Sequence, residues 1–455
     1  MPADPVAMLR SRRYLGLLAL AAVVGVLVSA VAYGFLALVS YLQKEIFIHL
    51  PHGVGFAAEP LWWPLPVLAV GGILAALAMR YLPGNGGPSP AGGFKLHGAP
   101  APSELPGVIL AALATLVFGA VLGPEMPLVL IGGGLAVLAV RLARRDVPDQ
   151  ARAVVAAAGS FAAISALLGS PLAGAFLLME ASGLGGSMLG LVLLPGMLAA
   201  GVGSLIFIGL DAWSGLGTFS LALPGAPHFS RPDITEFGWA VVIGLAAAVA
   251  GVAIRWAGRW LYGHVERQVL IMVPLAGLAV AAFAIGYASA TGKASSQVLF
   301  SGQSGLPSLV QHGATYTVGA LLLLMACKGI AYSVSLGSFR GGPTFPALYL
   351  GAAGGIALSH LPGLPMIAGV AMGIGAMSAV MLSLPLTSVL LPAILLPADG
   401  FALTPLVIVA VVVAHVAAAR IGPRAPAARS GAAQPAPAPD QPSAAPPSHS
   451  QPTSS

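Results

Sequence analysis

The stretch Gly123-Pro124-Glu125-Met126-Pro127 decides the fold, because it sets an acid between two prolines within strongly apolar sequence. A string of the same design, Gly342-Pro343-Thr344-Phe345-Pro346, occurs later in the chain. Proline lacks a backbone N–H and suits the first turn of a helix, so both strings predict helices that begin in apolar surroundings. Helix N-termini carry partial positive charge, and broken helices in a membrane use them to bind anions. The two strings therefore predict an anion-handling site with Glu125 as its acid.

Composition places this chain in a lipid bilayer. Of its 455 residues 57% are hydrophobic and only 7% are charged, and the mean hydropathy is +0.92. Apolar stretches near the length of a bilayer core are predicted at about 14–43, 61–82, 106–121, 187–210, 238–257, 268–290, 314–334 and 401–420. Shorter stretches are cut by proline or glycine. Each is interpreted either as a helix that stops partway through the membrane and lines a cavity or as a full span that tolerates its prolines, at 127–143, 153–168, 171–181, 344–358, 364–382 and 385–397.

The positive charges predict the topology. The arginines lie at the ends of apolar segments, in the sets Arg10, Arg12 and Arg13, then Arg141, Arg144, Arg145 and Arg152, and finally Arg420 and Arg424. By the positive-inside rule, the N-terminal segment 1–13 and the C-terminus are both expected in the cytoplasm, here of a bacterial inner membrane. The Pro/Ala/Ser-rich tail 421–455 is predicted to be disordered. Because the net charge of +6 is dispersed, no nucleic-acid partner is expected.

An internal repeat extends the parallel between the two strings. Ala163 to Ala173 and Ala376 to Thr387 share a run of small residues followed by a Pro-Leu pair. The membrane domain, 14–420, is therefore predicted to consist of two related halves, about 14–215 and 235–420. Transport proteins often bind their substrate where two such repeats face each other.

The motifs together resemble those of the CLC family of chloride channels and proton-coupled anion exchangers. Gly84-Asn85-Gly86-Gly87-Pro88 resembles the family's GSGIP string, the string at Gly123 resembles G(K/R)EGP, and the string at Gly341 resembles GGxFxP. The segment from Ser170 to Glu180 is similar to the family's Pro-Leu-Ala-Gly helix that ends in an acid. The resemblance spans about 14–420 and implies an all-α polytopic membrane protein, with CLC-type inverted repeats and broken, tilted helices.

The resemblance also implies a homodimer of two independent pores and a role for each motif. Glu125 would be the gating and proton-coupling glutamate, since its carboxylate can occupy the site that a mobile anion would otherwise take. The anion-binding residues would be Asn85, Gly86, Met126, Thr344 and Phe345. Chloride is the expected anion, and no metal or other cofactor is expected.

Several positions depart from the family pattern. Asn85 stands at an anion-facing serine position, Thr344 stands where phenylalanine is common, and no tyrosine follows Tyr349. Ala181 replaces the internal proton-transfer glutamate, beside Glu180, which matches the first acid of the family's pair. Three functions stay open: an anion channel, a transporter with another proton path through Glu180, and a fluoride/proton antiporter of the fluoride-handling branch, which also carries Asn at the serine position.

Function classes other than transport find little support in the sequence. A membrane-embedded enzyme is the main rival, but the chain has neither an HExxH nor a GxSxG motif, and its nine histidines lack metal-ligand spacing. The single cysteine, Cys327, excludes a disulfide within one chain. A membrane scaffold would not require an acid between two prolines.

Overall fold

The computed structural model describes residues 11–94, 98–143, 149–183, 186–214, 223, 229 and 231–422. The predictions for residues 1–10, for Arg144, Arg145 and Arg424 and for the tail beyond 422 lie outside these ranges. In the described ranges the chain is helical, with no named strands, in the order α1 (Arg12–Lys44), α2 (Pro64–Tyr81), α3 (Leu105–Leu116), α4 (Glu125–Ala143), α5 (Asp149–Leu168), α6 (Pro171–Ser182), α7 (Gly186–Ser214), α8 (Ile234–Val265), α9 (Val269–Thr291), α10 (Leu306–Gln311), α11 (Val318–Ser338), α12 (Thr344–Leu358), α13 (Met366–Leu382), α14 (Pro385–Leu395) and α15 (Gly400–Ile421). The predicted all-α polytopic class is confirmed.

Within the described ranges, nine helical stretches are long and apolar enough to cross a membrane. They are Tyr14–Gly53, Pro64–Tyr81, Glu125–Leu142, Ala151–Leu168, Val192–Leu210, Ile234–Val265, Val269–Thr291, Val318–Ser338 and Gly400–Ile421. The first is longer than predicted, because α1 continues through a π-helical turn, Glu45–His49, into a further turn, Leu50–Gly53.

Three predicted segments differ from the structure in length. The span predicted at 106–121 is wrong, because α3 has only 12 residues and the chain then turns at Gly119, whose φ is +100°. The segments predicted as short at 127–143 and 153–168 begin earlier and reach spanning length. Pro127 does not interrupt α4, because it lies in the first turn, where backbone N–H groups have no partner within the helix.

Four other interrupted segments are short helices as predicted, namely α6, α12, α13 and α14, with 11 to 17 residues each. Prolines explain two of their starts, since α6 and α14 begin at Pro171 and Pro385. Nearly all residues of α12 and α13 are buried. The irregular ends of these two short helices are therefore enclosed in protein, as a membrane requires.

Equivalent helix pairs pack together in both parts of the chain. Helix α1 packs on α7 as α8 packs on α15, and α5 packs on α7 as α13 packs on α15. The pairs α4–α5 and α12–α13 are in especially close contact. A Cβ added at Gly132 would lie 2.5 Å from the carbonyl oxygen of Gly159, and one added at Gly351 would lie 2.3 Å from that of Gly373. This recurrence supports the prediction of two repeated halves.

Candidate anion site

The two proline-rich strings meet in the interior of the protein. The Gly123 N–H donates to the Gly342 carbonyl at 2.8 Å, and the Gly342 N–H donates to the Gly123 carbonyl at 2.6 Å. The two glycines thus form an isolated antiparallel bridge. Each bridge residue lies two positions before a helix, so the N-termini of α4 and α12 converge on one place, as predicted.

Glu125 lies at this point of convergence. Its side chain is completely buried, and its Oε1 accepts a hydrogen bond from the backbone N–H of Thr344, the first residue of α12. A Cβ added at Gly123 would lie 2.0 Å from Oε2, and one added at Gly342 would lie 2.1 Å from Cδ of the same carboxylate. Both glycines are therefore required by the close approach of the backbone to this side chain. The carboxylate of one half is held by the helix start of the other.

Two polar atoms in this place lack hydrogen-bond partners among the described residues. They are Oε2 of Glu125 and the hydroxyl oxygen of Thr344, and both are buried. Buried polar groups in proteins are nearly always paired, so unpaired ones next to two helix N-termini fit a site that exchanges ligands. Met126 and Phe345 are also buried here, and the Phe345 ring lies 2.9 Å from a Cβ added at Gly123. Four of the predicted site residues are thus brought together.

The other two predicted residues, Asn85 and Gly86, lie in a tight turn and reach the site only through Arg340. Asn85 is exposed, with a left-handed φ of +49°, and its backbone carbonyl accepts from Arg340 Nε at 3.4 Å. A Cβ at Gly86 would lie 3.4 Å from Cγ of Arg340. Arg340 immediately precedes the second string, so this turn packs beside the start of α12 and makes no described contact with Glu125.

Two reciprocal hydrogen bonds hold the strings in position, and the sequence reasoning did not include them. The Val121 N–H donates to the Ser335 hydroxyl at 3.0 Å, and the Arg340 N–H donates to the Thr115 hydroxyl at 3.3 Å. Val121 and Arg340 each precede a bridging glycine by two positions, so the two contacts are counterparts. Comparing the residues upstream of each string would have revealed a hydroxyl in both helices.

Tyr332 is a third residue that the sequence reasoning missed. Its hydroxyl donates to the Pro343 carbonyl at 2.6 Å, and its side chain is completely buried. A buried tyrosine hydroxyl within an apolar helix needs a partner, and this is the signal in the sequence that could have identified the position. Tyr332 fixes the turn that leads into α12.

Glu180 lies away from this convergence and caps α14. Its carboxylate accepts from the backbone N–H groups of Leu386 at 2.9 Å and Thr387 at 2.8 Å, and from the Thr387 hydroxyl at 2.8 Å. A negative charge at a helix N-terminus is stabilising. These contacts give Glu180 a structural role, and its place in a proton path stays a prediction.

Comparisons with known proteins show which family the chain belongs to. Residues 67–419 match the family model described as voltage gated chloride channel. Proteins named YfeO, provisionally assigned to ion transport, are 29% identical in Escherichia coli (strain SMS-3-5 / SECEC) and 30% identical in Shigella boydii serotype 4 (strain Sb227). Each alignment covers 366 residues, which is 78% of this chain and 82% of the relative.

Solved structures share the fold. The chain superimposes on a slow cyanobacterial Cl⁻/H⁺ antiporter with a TM-score of 0.73 and 17% identity, covering 89% of this chain and 95% of that one. It superimposes on a CLC-type fluoride/proton antiporter with a TM-score of 0.66 and 22% identity, covering 88% and 95%. With the family model matching most of its length, this helical membrane protein belongs to the voltage gated chloride channel family, the CLC family of anion-transport proteins.

Proposed function

We propose that this protein carries an anion, chloride in the first instance, across the membrane and that Glu125 is its gate. The observation that carries the proposal is the Glu125 carboxylate, which lies between two helix starts and takes the Thr344 N–H as its donor. A mobile anion would use the same N–H groups, so carboxylate and anion compete for one place. Protonation neutralises the carboxyl group and weakens its hold on those donors, which couples anion occupancy to protons.

Fluoride transport with proton exchange is the second candidate. Asn85 at the family's serine position and Ala181 at the internal glutamate position favour it, since both resemble the fluoride-handling branch. Fluoride is small and strongly hydrated, and a hydroxyl such as that of Thr344 would suit it as a close donor. Membership in a family of transporters favours either anion over the enzyme reading.

Neither of the two candidate functions determines the path that protons take. A path through Glu180 would break three hydrogen bonds at the start of α14 each time that this carboxylate moved. Proton exchange that involves Glu125 alone, with protons entering and leaving from one side, needs no internal acid. The two alternatives differ in whether a Glu180→Gln variant still couples protons to anions.

The test is efflux from liposomes that contain the purified protein. Chloride and fluoride efflux are recorded separately, with proton uptake measured in parallel. Efflux of chloride above that from protein-free liposomes supports the first candidate, and efflux of fluoride with stoichiometric proton uptake supports the second. Efflux of neither anion would contradict the proposed function.

We further propose that the protein is a homodimer in the bacterial inner membrane, with both termini in the cytoplasm. The arginines at the ends of α1 and α15 support this orientation by their charge. Cysteine accessibility at engineered positions before Arg12 and after Ile421 would test the orientation in intact cells. Native mass spectrometry of the detergent complex would test the dimer.

A further inference from the structure

Lys328, in the middle of α11, is a buried charge without an acidic partner. Its side chain is fully buried. Its Nζ donates to the carbonyl oxygens of four consecutive residues, Gln297 at 3.1 Å, Val298 at 3.0 Å, Leu299 at 3.1 Å and Phe300 at 3.2 Å. Among the residues that the structure describes, no carboxylate forms an ion pair with it. Buried lysines are otherwise found paired with acids, so this one is balanced by backbone dipoles.

The four carbonyls surround the ammonium as they would a bare cation. An ammonium has three N–H groups, so four acceptors exceed what its hydrogen bonds require. Rings of backbone carbonyls are how proteins replace the hydration shell of a monovalent cation. The Tyr349 ring completes the enclosure, with its centroid 4.6 Å from Nζ. The four carbonyls and the aromatic ring are therefore arranged as in a cation-binding site, rather than as the incidental hydrogen-bond partners of a lysine.

The backbone of residues 297–300 is bent to form this set. Phe300 has a left-handed φ of +58°, which a side chain of this size rarely adopts. Its N–H donates to the Gly119 carbonyl at 3.0 Å, and Gly119 belongs to the segment that leads to the Gly123 bridge. The loop that surrounds the ammonium is therefore hydrogen-bonded to the segment that leads to Glu125.

The ammonium lies behind the wall of a large cavity. Gln297, Phe300 and Tyr349 line this cavity, which has a volume of about 560 Å³. Tyr349 is five residues beyond Thr344 in α12, a separation of about 7.5 Å along a helix axis. We call this cavity the vestibule, because it reaches from the surface to within two helical turns of the predicted anion site.

Other charged residues lie in or near the lining of the vestibule. Lys44 lines it, and Lys293 lies over the ring of Tyr316, another lining residue, with Nζ 4.0 Å from the centroid. The acid of the lining is Glu59, which accepts from the Ser295 hydroxyl at 2.9 Å. Burial raises the pKa of Glu59, and the Ser295 hydrogen bond opposes this shift. Unlike the two exposed or half-buried lysines, Lys328 is fully buried, so salt cannot approach and screen its ammonium.

We propose that the carbonyls of residues 297–300 form a monovalent-cation site that the chain fills with its own Lys328 ammonium, and that this fixed charge draws the transported anion into the vestibule. The second part rests on the proposed function, and the first part does not. Because the ammonium is part of the chain, it occupies the site whatever the cation concentration in solution, whereas a free cation would bind and dissociate. The charge would act on the anion through the vestibule wall, by raising its local concentration.

The cation site is tested on purified protein in detergent, without transport. Lys328→Ala removes the ammonium and leaves space for propylammonium, whose chain replaces the lost atoms. We expect the unfolding midpoint of this variant to rise with propylammonium concentration, as ligand binding to the folded state requires, and to stay flat with N-methylglucamine, which is too large. Wild type should respond to neither. A midpoint of Lys328→Ala that is insensitive to propylammonium would overturn the cation site.

The effect on transport is tested with Lys328→Met, which removes the charge and keeps most of the side-chain volume. Its unfolding midpoint is measured first, because the four carbonyls lose their donor, and flux is compared at a temperature at which the variant is folded. We expect the anion concentration for half-maximal flux to rise at least about threefold, with a smaller change in the saturated rate. The control is Lys293→Met, which removes an equal charge that the carbonyl set does not hold, and it should have the smaller effect. Half-saturation of Lys328→Met equal to wild type would overturn the electrostatic role. Failure of the wild type itself to carry either anion would instead contradict the proposed function.

Discussion

The starts of α4 and α12 share the same backbone contacts and differ in one side chain. Each helix follows a Gly-Pro pair, and the two glycines exchange two backbone hydrogen bonds. The segment before each glycine also donates a backbone N–H to a hydroxyl of the opposite half. They differ at the position two residues after the glycine, which is Glu125 in one half and Thr344 in the other. One half therefore supplies an acid and the other supplies the N–H that binds it. On the proposed function, the two helix starts together would bind the anion, and the acid that only one half carries would act as the gate.

The largest effect is expected from Gly342→Ala, which would close the space that the carboxylate occupies. The added Cβ would lie 2.1 Å from Cδ of Glu125, so the side chain has to leave. Because the anion is proposed to use the same space, the added Cβ obstructs the carboxylate and the anion alike. We expect flux to fall by about tenfold or more at every pH, as overpacking of a closed interior predicts. Liposome efflux between pH 4.5 and 8 measures this.

A matched control for this substitution is Gly319→Ala in α11, where an added Cβ meets nothing within 4 Å. It should keep the flux of wild type at every pH. Gly123→Ala should behave as Gly342→Ala does, since its Cβ would lie 2.0 Å from Oε2. Wild-type flux in both bridge variants would contradict the comparison, because the anion would then cross somewhere other than between the two glycines.

A smaller effect is expected from Thr344→Val, which removes a hydroxyl and keeps the shape and the backbone N–H. Because this hydroxyl has no hydrogen-bond partner among the described residues, its loss should leave the unfolding midpoint unchanged or slightly raised. If it donates to the anion, flux should fall about three- to tenfold, as the loss of one hydrogen bond predicts. Thr344→Ser should retain the flux of wild type. Equal flux in the Val variant and wild type would limit the role of α12 to its backbone.

The smallest effect on transport is expected from the two hydroxyls that hold the strings. Ser335→Ala leaves the Val121 N–H without its partner, and Thr115→Val does the same to the Arg340 N–H. Each should lower the free energy of unfolding by about 1–3 kcal/mol, the cost of a buried unpaired donor, while the pH dependence of flux stays as in wild type. Urea titration of the two variants in mild detergent measures the loss. A large loss for one variant and none for the other would show that the counterpart contacts are unequal.

The helix start at Glu125 could be predicted from the sequence because proline restricts the backbone locally. A proline pair around Glu125 fixes where α4 begins, whatever the rest of the chain does. The lengths of α3, α4 and α5 were predicted less well, since apolar composition extends through the turn at Gly119 and through the first turn of α4. Hydropathy does not distinguish an apolar turn buried in protein from an apolar helix.

Residues whose role depends on distant partners could not be predicted from the sequence. Tyr332 and Lys328 meet carbonyl groups of other segments, and only the folded chain brings those carbonyls together. Asn85 was expected at the anion, yet its exposed turn lies beside Arg340. Its assignment came from resemblance, which preserves the position in the motif and does not fix what the side chain contacts. Its role in anion binding stays a prediction.

The most direct test of the gate is the pH dependence of anion flux in Glu125→Gln. The amide has the shape of the protonated acid and no charge, so its oxygen accepts from the Thr344 N–H more weakly than a carboxylate does and an anion displaces it more easily. In wild type, flux should rise as the pH falls and the carboxylate is neutralised. The variant should show high flux that is the same from pH 4.5 to 8. A variant whose flux still rises toward low pH, as in wild type, would contradict the account.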